Sequence, residues 1–333
     1  MSRNPYFAAR RPRPAVPSET SVHERDPAQL PVGLTIDVGS PAPFSGPGAV
    51  PDPGRFTFAL VSDRTGGAQP GVFERGIAAV NALAPDFAVQ LGDLVEGYTR
   101  DGSVLDAEWD EIDAMLAPLR VPMFHVAGNH DVANEVMRER WLRRYGAFHY
   151  HFRFRDVLFL VLNTQDPERE MPPEDEARLR ARLAAAGGDE ELTRQAYEEA
   201  FDWNGVPAAA GLSEGQLGYA EEVLRAHADV RWTFVLMHMP LWQGEGHPAY
   251  HRIRAALGER PHTMFAGHVH NYQATERDGN RYIRLGPTGG VWVFAEGAPG
   301  NVHHVTLVTM GADGPSVANL ALDGIRTADG APV

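Results

Sequence analysis

Five apolar, strand-like runs in this chain each end in side chains that can bind a metal ion. The candidate ligands are Asp63, Asp93, Asn129, His238, His268 and His270. In α/β folds the ends of such buried strands lie at one edge of a sheet, and ligands bind there. Carboxylate, carboxamide and imidazole groups gathered at that edge would form an oxygen and nitrogen ligand set for divalent metals. The pattern therefore predicts a metal-dependent hydrolase.

A hydrolytic centre of two metal ions needs one bridging ligand, further ligands on each ion, and a water or hydroxide between ions about 3.5–4 Å apart. Asp93 suits the bridging position, because a carboxylate has two oxygens and the preceding Gly92 lets the backbone pass close by. The other candidates divide between the ions, with Asn129, His238 and His268 on one and Asp63 and His270 on the other. His268 and His270 are two residues apart, and His268 follows Gly267 directly. Gly267 allows a turn that brings both to the ions.

Two further side chains beside these ligands could take part in the reaction. His130, paired with Asp131, could protonate the leaving group or stabilise charge that develops in the transition state. Arg64 begins the glycine-rich segment 64–67 and could bind phosphate oxygens through its guanidinium. The alternative for Arg64 is structural, with the arginine only stabilising a surface turn.

The candidate ligands are positioned by an alternation of strands and helices. Strands are predicted at 56–62, 87–91, 121–127, 232–237 and 263–266, with a hairpin at 150–162. Helices are predicted from their apolar stripes at 71–83, 106–117, 134–144, 213–227 and 248–257. The region from 282 to 322 is predicted to form antiparallel strands. This alternation is typical of an α/β fold.

The domain organisation follows from where the ligands lie. Residues 1–53 are rich in proline and have no sustained periodicity, so we interpret them as an extended arm with little regular structure. Residues 54–325 are interpreted as one domain, because a boundary between Asp63 and His270 would separate the candidate ligands.

One segment within this domain differs in character from the rest. Residues 166–210 are acidic and rich in Arg and Ala, with helices predicted near 173–186 and 189–200. The segment contains no motif that resembles a ligand set. We interpret it as a helical insertion that lies over or beside the site.

The composition limits the classes of partner. The chain has 333 residues, with 30 Lys plus Arg and 44 Asp plus Glu, so its formal charge is −14. This excess disfavours nucleic acid polymers and anionic membranes as main partners, since both need a positive protein surface. Cysteine is absent, which excludes thiol catalysis, disulfides and thiolate metal sites. No segment resembles a transmembrane helix or a secretory signal, so we expect a cytoplasmic protein.

In their order and strand context, these motifs resemble those of the calcineurin-like metallophosphoesterases, over roughly residues 56–290. The resemblance rests on Asp63, Gly92-Asp93, Gly128-Asn129-His130-Asp131, His238 and Gly267-His268-Val269-His270. It implies an α/β, four-layer sandwich of two mixed β-sheets flanked by helices, with a two-metal site that hydrolyses phosphate esters. It also implies the division of ligands given above, with Asp93 as the bridge.

One position departs from the family pattern, which usually begins with Asp-x-His. Here the triplet is Asp63-Arg64-Thr65, and threonine is a poor ligand, so the first metal loses a nitrogen. Relatives of the purple acid phosphatase type also lack that histidine and use a tyrosine three residues after the bridging aspartate, where this chain has Glu96. Glu96, Tyr98 or water could compensate. We expect the first site to bind its ion more weakly or to select a different metal.

The sequence thus predicts a phosphoesterase that hydrolyses small phosphorylated substrates, foremost monoesters, through two manganese, iron or zinc ions and a metal-bound hydroxide. Two alternatives remain: a phosphodiesterase or nucleotide pyrophosphatase, and a phosphoesterase-fold binding scaffold whose first metal site has decayed. Thr65 favours the scaffold. His130, Asp131 and His270 favour the enzyme, since a scaffold does not need a general acid. The sequence indicates neither the natural substrate nor the oligomeric state.

Overall fold

The computed structural model describes residues 34–36, 44–45, 55–168, 170–200, 210–244, 246–294, 297–322 and 324–326. In these residues the chain forms two mixed β-sheets of seven strands each, with helices flanking them. This is the α/β architecture predicted from the sequence.

The strands are β1 (Leu34–Ile36), β2 (Phe44–Ser45), β3 (Phe56–Val61), β4 (Phe87–Gln90), β5 (Met123–His125), β6 (Tyr150–Phe154), β7 (Val157–Val161), β8 (Trp232–Leu236), β9 (His262–Ala266), β10 (Gln273–Arg277), β11 (Asn280–Arg284), β12 (His304–Gly311), β13 (Gly314–Ala321) and β14 (Gly324–Arg326). The helices are α1 (Val72–Leu83), α2 (Gly102–Leu116), α3 (Asn129–Val132), α4 (Glu135–Arg144), α5 (Pro173–Ala186), α6 (Glu190–Ala200), α7 (Glu214–Ala226) and α8 (Pro248–Leu257). A short 3₁₀ helix covers Leu241–Gln243.

The order of the strands brings the candidate ligands to one edge. The first sheet has the order β1-β6-β7-β8-β9-β11-β10, and the second has the order β14-β13-β12-β3-β4-β5-β2. Strands β7, β8 and β9 run parallel in the first sheet, as do β3, β4 and β5 in the second. Parallel strands have their carboxyl ends at the same edge, and ligands bind there. The ligand-bearing segments after β3, β4, β5, β8 and β9 all leave from such ends.

The two sheets pack against each other through a layer of phenylalanines. Phe58 of β3 lies edge-on to Phe159 of β7, with 5.2 Å between ring centroids, and to Phe234 of β8, at 4.9 Å. Phe87 of β4 makes the same kind of contact with Phe152 of β6 at 5.8 Å. All five rings are fully buried, and burying such a side chain stabilises a fold by about 1.5–3 kcal/mol. This layer fixes the two sheets, and therefore their strand ends, relative to each other.

Three predicted elements differ from the structure. Helix α2 begins at Gly102, four residues before the predicted start, because the Asp101 carboxylate caps it by accepting the N–H of Ser103 at 2.9 Å. Strand β5 is shorter than predicted and covers Met123–His125. Strand β11 pairs parallel with β9 because the β10–β11 hairpin returns it to that strand. The carboxyl-terminal strands are therefore not all antiparallel, although β12 and β13 are.

The arm and the insertion each contribute elements. Strand β1 pairs antiparallel with β6, and β2 pairs antiparallel with β5, so the arm adds one edge strand to each sheet. The other residues of the arm lie outside the described residues. Helices α5 and α6 lie in the insertion. Across the described segments, no helix has both the length and the apolar composition needed to cross a membrane.

Candidate metal centre

Five of the predicted ligands meet at the strand ends of the two sheets and form two buried groups. The first site consists of Asp63, Asp93 and His270, and the second site consists of Asp93, His238 and His268. Within each site, every side chain has one ligand atom within 4.8 Å of a ligand atom of each of the other two. Asp63 Oδ1 lies 3.4 Å from His270 Nε2, and Asp93 Oδ2 lies 3.0 Å from His238 Nε2. Asp93 belongs to both sites, so the carboxylate predicted to bridge two ions lies where it could contact both.

Two of the histidines are oriented by backbone carbonyl groups. The Nδ1 atom of His238 lies 2.7 Å from the Leu91 oxygen, and the Nδ1 atom of His270 lies 2.5 Å from the Val291 oxygen. A carbonyl can only accept a hydrogen bond, so Nδ1 carries the proton and Nε2 is the atom turned towards the carboxylates. Metal-binding histidines are usually held in this way.

Asn129 lies beside the second site. Its Oδ1 atom is 3.1 Å from His238 Nε2, and its amide nitrogen donates to the hydroxyl oxygen of Tyr98 at 2.9 Å. The carbonyl oxygen therefore faces the ligands, as expected for a neutral oxygen ligand. Burial raises the pKa of Tyr98 well above its ordinary value. The hydroxyl of Tyr98 therefore orients the side chain of Asn129.

Four ligand residues have backbone conformations that residues other than glycine rarely adopt. The φ angles of Asp63, Asp93, His268 and His270 are 48°, 63°, 71° and 53°. Hydrogen bonds of backbone N–H groups hold two of these turns. The Asp63 N–H donates to the Gly92 carbonyl oxygen at 3.1 Å, and the His268 N–H donates to the side-chain Oδ1 of Asp63 at 2.9 Å. The turns place His268 in the second ligand group and His270 in the first. Strained backbone of this kind clusters at functional sites.

Two glycines allow the ligand loops to approach one another closely. A Cβ atom on Gly92 would lie 2.3 Å from His238 Nδ1, and a Cβ atom on Gly267 would lie 2.4 Å from Asp63 Oδ2. No side chain fits in either place. The close approach predicted at Gly92 is therefore present, and its neighbour is a ligand of the second site.

The buried charges of the centre offset one another. Burial alone would raise the pKa of Asp63, but the hydrogen bond and charge of His270 hold it below its ordinary value. The pKa of Asp93 is lowered in the same way by His238. Burial would lower the pKa of His238, but the two carboxylates raise it to about 9. A divalent cation can take the place of that proton, and the donor types fit manganese, iron or zinc.

Asp131 fixes two ligand loops, which corrects the predicted pairing with His130. Its carboxylate accepts four backbone N–H groups, from Asp93 at 2.8 Å, Leu94 at 2.8 Å, Val95 at 3.3 Å and Gly128 at 2.9 Å. Four donors use the acceptor capacity of a carboxylate. Burial and the nearby Asp93 raise the pKa of Asp131 to about 6, whereas the N–H groups act to lower it. The Asp131 carboxylate therefore joins the loop that carries Asp93 to the loop that carries Gly128.

The side chain of His130 contacts Glu96. Its Nδ1 atom donates to the carbonyl oxygen of Glu96 at 2.8 Å, and the same nitrogen lies 3.8 Å from a carboxylate oxygen of Glu96. The other carboxylate oxygen accepts the hydroxyl of Thr65. Thr65 is at the position of the histidine that the first site lacks. Glu96 thus connects that position with His130, and it belongs to neither ligand group found in the described residues.

Arg64 forms an ion pair with helix α2. Its Nη2 atom lies 2.8 Å from Glu111 Oε1, and the arginine side chain is 8% exposed. A guanidinium with so little contact with water needs an anionic or hydrogen-bonding partner, which α2 supplies. The geometry therefore favours the structural interpretation of Arg64 over the predicted binding of phosphate.

Tyr197 of α6 lies beside the centre, although the sequence did not identify it. It is fully buried, and its ring centroid is 5.5 Å from that of His130. Thr193 and Tyr197 are four residues apart in a helix rich in glutamate, and that spacing places them on one face. The spacing indicates that this face is buried, but the sequence does not say which surface it covers.

Comparison with known proteins agrees with this geometry. A family model of the calcineurin-like phosphoesterases matches residues 56–272, a segment that includes all six candidate ligands. A dimetal phosphatase from Danio rerio has a TM-score of 0.56 and 17% identity, covering 83% of this chain and 99% of its own. The structure of PhoD has a TM-score of 0.55 and 11% identity, with coverage of 86% and 74%.

A third similar structure is that of GAP50, the anchor in the inner membrane complex of Plasmodium. It has a TM-score of 0.50 and 13% identity, covering 82% of this chain and 87% of its own. At such identities the three structures show a shared fold. No protein of curated function matches the sequence.

Proposed function

The chain belongs to the calcineurin-like phosphoesterase family, whose members are phosphoric ester hydrolases, and we propose that it hydrolyses small phosphate monoesters at a centre of two metal ions. The observation that carries this proposal is that Asp93 belongs to both buried ligand groups. A shared carboxylate is the bridging ligand that a pair of ions needs.

The proposed ligand roles follow the two groups. Asp93 would hold both ions, and Asn129 would add a neutral oxygen ligand at the second site. Asp63 and His270 complete the first site, and His238 and His268 complete the second. Bound manganese, iron or zinc would polarise the phosphoryl oxygens and lower the pKa of the attacking water.

His130 is the proposed proton donor to the leaving group. Its Nδ1 atom is held by the Glu96 carbonyl, so Nε2 is the nitrogen that can deliver a proton to the leaving oxygen. Its backbone N–H donates to Asp93 Oδ1 at 2.9 Å, which ties the residue to the bridging ligand. The proton donor and the bridge are therefore held in one unit.

The enclosure of the site favours a small substrate. Asn129 and His268 are 7% and 6% exposed, whereas the other four ligands are exposed by 1% or less. The substrate would therefore enter beside Asn129 and His268. A nucleic acid polymer needs a wide, positively charged surface, and the formal charge of this chain is −14.

Turnover of p-nitrophenyl phosphate and bis(p-nitrophenyl) phosphate by metal-loaded protein tests this proposal. We expect kcat/KM for the monoester to exceed that for the diester by about tenfold or more. The reverse preference would overturn the monoesterase assignment and favour the phosphodiesterase. If protein with two bound ions hydrolyses neither ester, the binding scaffold would be favoured, a role for which GAP50, described as an anchor, is a precedent in this fold.

A further inference from the structure

The helical insertion reaches the metal centre through one face of α6. Thr193 and Tyr197 lie one turn apart on this face, and both are buried. A Cβ atom on Gly67 would lie 2.5 Å from Thr193 Cγ2, so the threonine methyl packs directly on the loop that follows Asp63. Four residues of helix span about 6 Å. The same face therefore extends from this loop to the ring of His130.

Two tyrosine rings pack against the imidazole of His130. The ring of Tyr98 is 4.8 Å away and that of Tyr197 is 5.5 Å away, both edge to face. Tyr98 is fixed by its hydrogen bond with Asn129, whereas Tyr197 comes from the insertion. With Nδ1 held by the Glu96 carbonyl, the two rings leave the imidazole little room to rotate. Removing Tyr197 would open one side of this enclosure.

Ion pairs and hydrogen bonds fix the insertion on the body of the domain. The Glu176 carboxylate of α5 is buried and accepts from Arg100 Nε at 3.1 Å and from the Asn134 amide at 2.8 Å. Arg180 of α5 pairs with Glu108 of α2 at 2.8 Å. A buried carboxylate with two such partners is costly to separate from them. Helix α6 packs on α5. The contacts of α5 therefore also hold α6 in a fixed position beside the centre.

We propose that Tyr197 is a positioning residue that holds the His130 imidazole aligned for proton donation to the leaving group. This role presupposes the hydrolase activity proposed above. A water oxygen forms the new bond to phosphorus and releases a proton to solvent, while the bond from phosphorus to the leaving oxygen breaks. The leaving oxygen takes the electron pair of the broken bond and the proton from His130 Nε2, which regains a proton from solvent. General acid catalysis accelerates such steps by about 10²–10⁴-fold, and the gain depends on geometry. Tyr197 acts through His130. Its loss should therefore lower kcat most for substrates whose leaving group depends most on protonation.

The test compares two aryl monoesters on metal-loaded variants. Nitrophenolate is a stable leaving group that needs little protonation, whereas phenolate from phenyl phosphate needs it more. We expect Tyr197→Ala to lower kcat for phenyl phosphate by about tenfold or more and for p-nitrophenyl phosphate by less than about threefold. Tyr197→Phe keeps the ring, and Leu192→Ala changes an exposed residue of the same helix. Both should stay within about twofold of wild type on either ester.

A second comparison uses His130→Ala. Adding Tyr197→Ala to it should cause no further loss, because residues that act through one group are not additive. An equal loss on the two esters, a fall in bound metal, or an additive loss in the double variant would each overturn the positioning role. If Tyr197→Ala does not fold, Tyr197→Leu replaces it, because leucine keeps most of the buried volume. The same two esters are then compared, with the same expected losses.

The two proposals fail in different ways. Wild-type protein with two bound ions that hydrolyses neither ester would overturn the proposed function, and the role of Tyr197 with it. Active wild-type protein in which Tyr197→Ala loses both activities equally would overturn the role of Tyr197 alone.

Discussion

The carboxylate of Asp131 accepts the backbone N–H of Asp93 at 2.8 Å, so a residue of one motif holds the residue proposed to bridge two metal ions in another. The same carboxylate accepts the N–H of Gly128 at 2.9 Å. One buried side chain thus joins the loop after β4 to the loop after β5. The distance between Asp93 and Asn129 depends on this connection.

Asp131→Asn is expected to lower the free energy of unfolding by about 2–4 kcal/mol. An asparagine keeps one acceptor oxygen and turns an amide nitrogen towards N–H donors, and each unpaired buried donor costs about 1–3 kcal/mol. Urea unfolding of the metal-free protein measures the loss. The control is Asp101→Asn at the exposed cap of α2, where asparagine caps as well as aspartate and stability should be nearly unchanged. Equal effects of the two substitutions would contradict the role of Asp131.

Gly92→Ala is expected to remove the ion of the second site. The new Cβ atom would lie 2.3 Å from His238 Nδ1, so this ligand must move. Gly279→Ala is the matched control, because Gly279 also has a positive φ, of 73°, but has no atom within 4 Å of its Cβ position. Both variants should lose about 1–3 kcal/mol from backbone strain. Metal analysis should find about one ion fewer in Gly92→Ala alone, and retention of both ions would refute the expected displacement.

Arg64→Ala is expected to leave KM for a monoester within about twofold of wild type. The guanidinium pairs with Glu111, so its loss should act on stability, by about 1 kcal/mol for a partly exposed pair. Glu111→Ala should have a similar effect on KM, since it removes the other half of the pair. Steady-state kinetics and urea unfolding of both variants check this. A rise in KM of about tenfold in Arg64→Ala alone would instead indicate that Arg64 binds phosphate.

The raised pKa of His238 predicts opposite pH dependences for folding and for metal binding. In the metal-free protein this pKa is about 9, above the value of about 6.5 in an unfolded chain. The bound proton therefore stabilises the fold fully below about pH 6.5, and this contribution is lost as pH rises through 9. A metal ion must displace the same proton, so metal affinity should increase over that interval.

Urea unfolding of metal-free protein and titration with Mn²⁺ between pH 6.5 and 9 measure the two effects. His238→Gln has no titrating group at this position, so its unfolding should lose this part of the pH dependence. A wild-type affinity for Mn²⁺ that does not change with pH would show that no proton is displaced.

The grouping of the candidate metal ligands could be predicted from the sequence because their positions depend on local pattern and chain direction. Asp93 and His238 each follow a buried parallel strand, and such strand ends meet at one edge. The roles of Asp131, Arg64 and Tyr197 depend on partners in other loops and helices. The packing of α2, α6 and the loops decides which partners these three residues contact. No local periodicity in the sequence encodes that packing. The first residue of α2 could have been predicted from the sequence, because Asp101 is of a residue type that caps helix N-termini.

Counting the metal ions bound per chain tests most directly whether Asp93 joins two metal sites. The measurement is mass spectrometry of wild type and Asp93→Asn after loading with manganese, iron or zinc. We predict about two ions per chain in the wild type and fewer than about one in Asp93→Asn, because both sites lose their shared carboxylate. One ion or none in the loaded wild type, or two in Asp93→Asn, would contradict a centre bridged by Asp93.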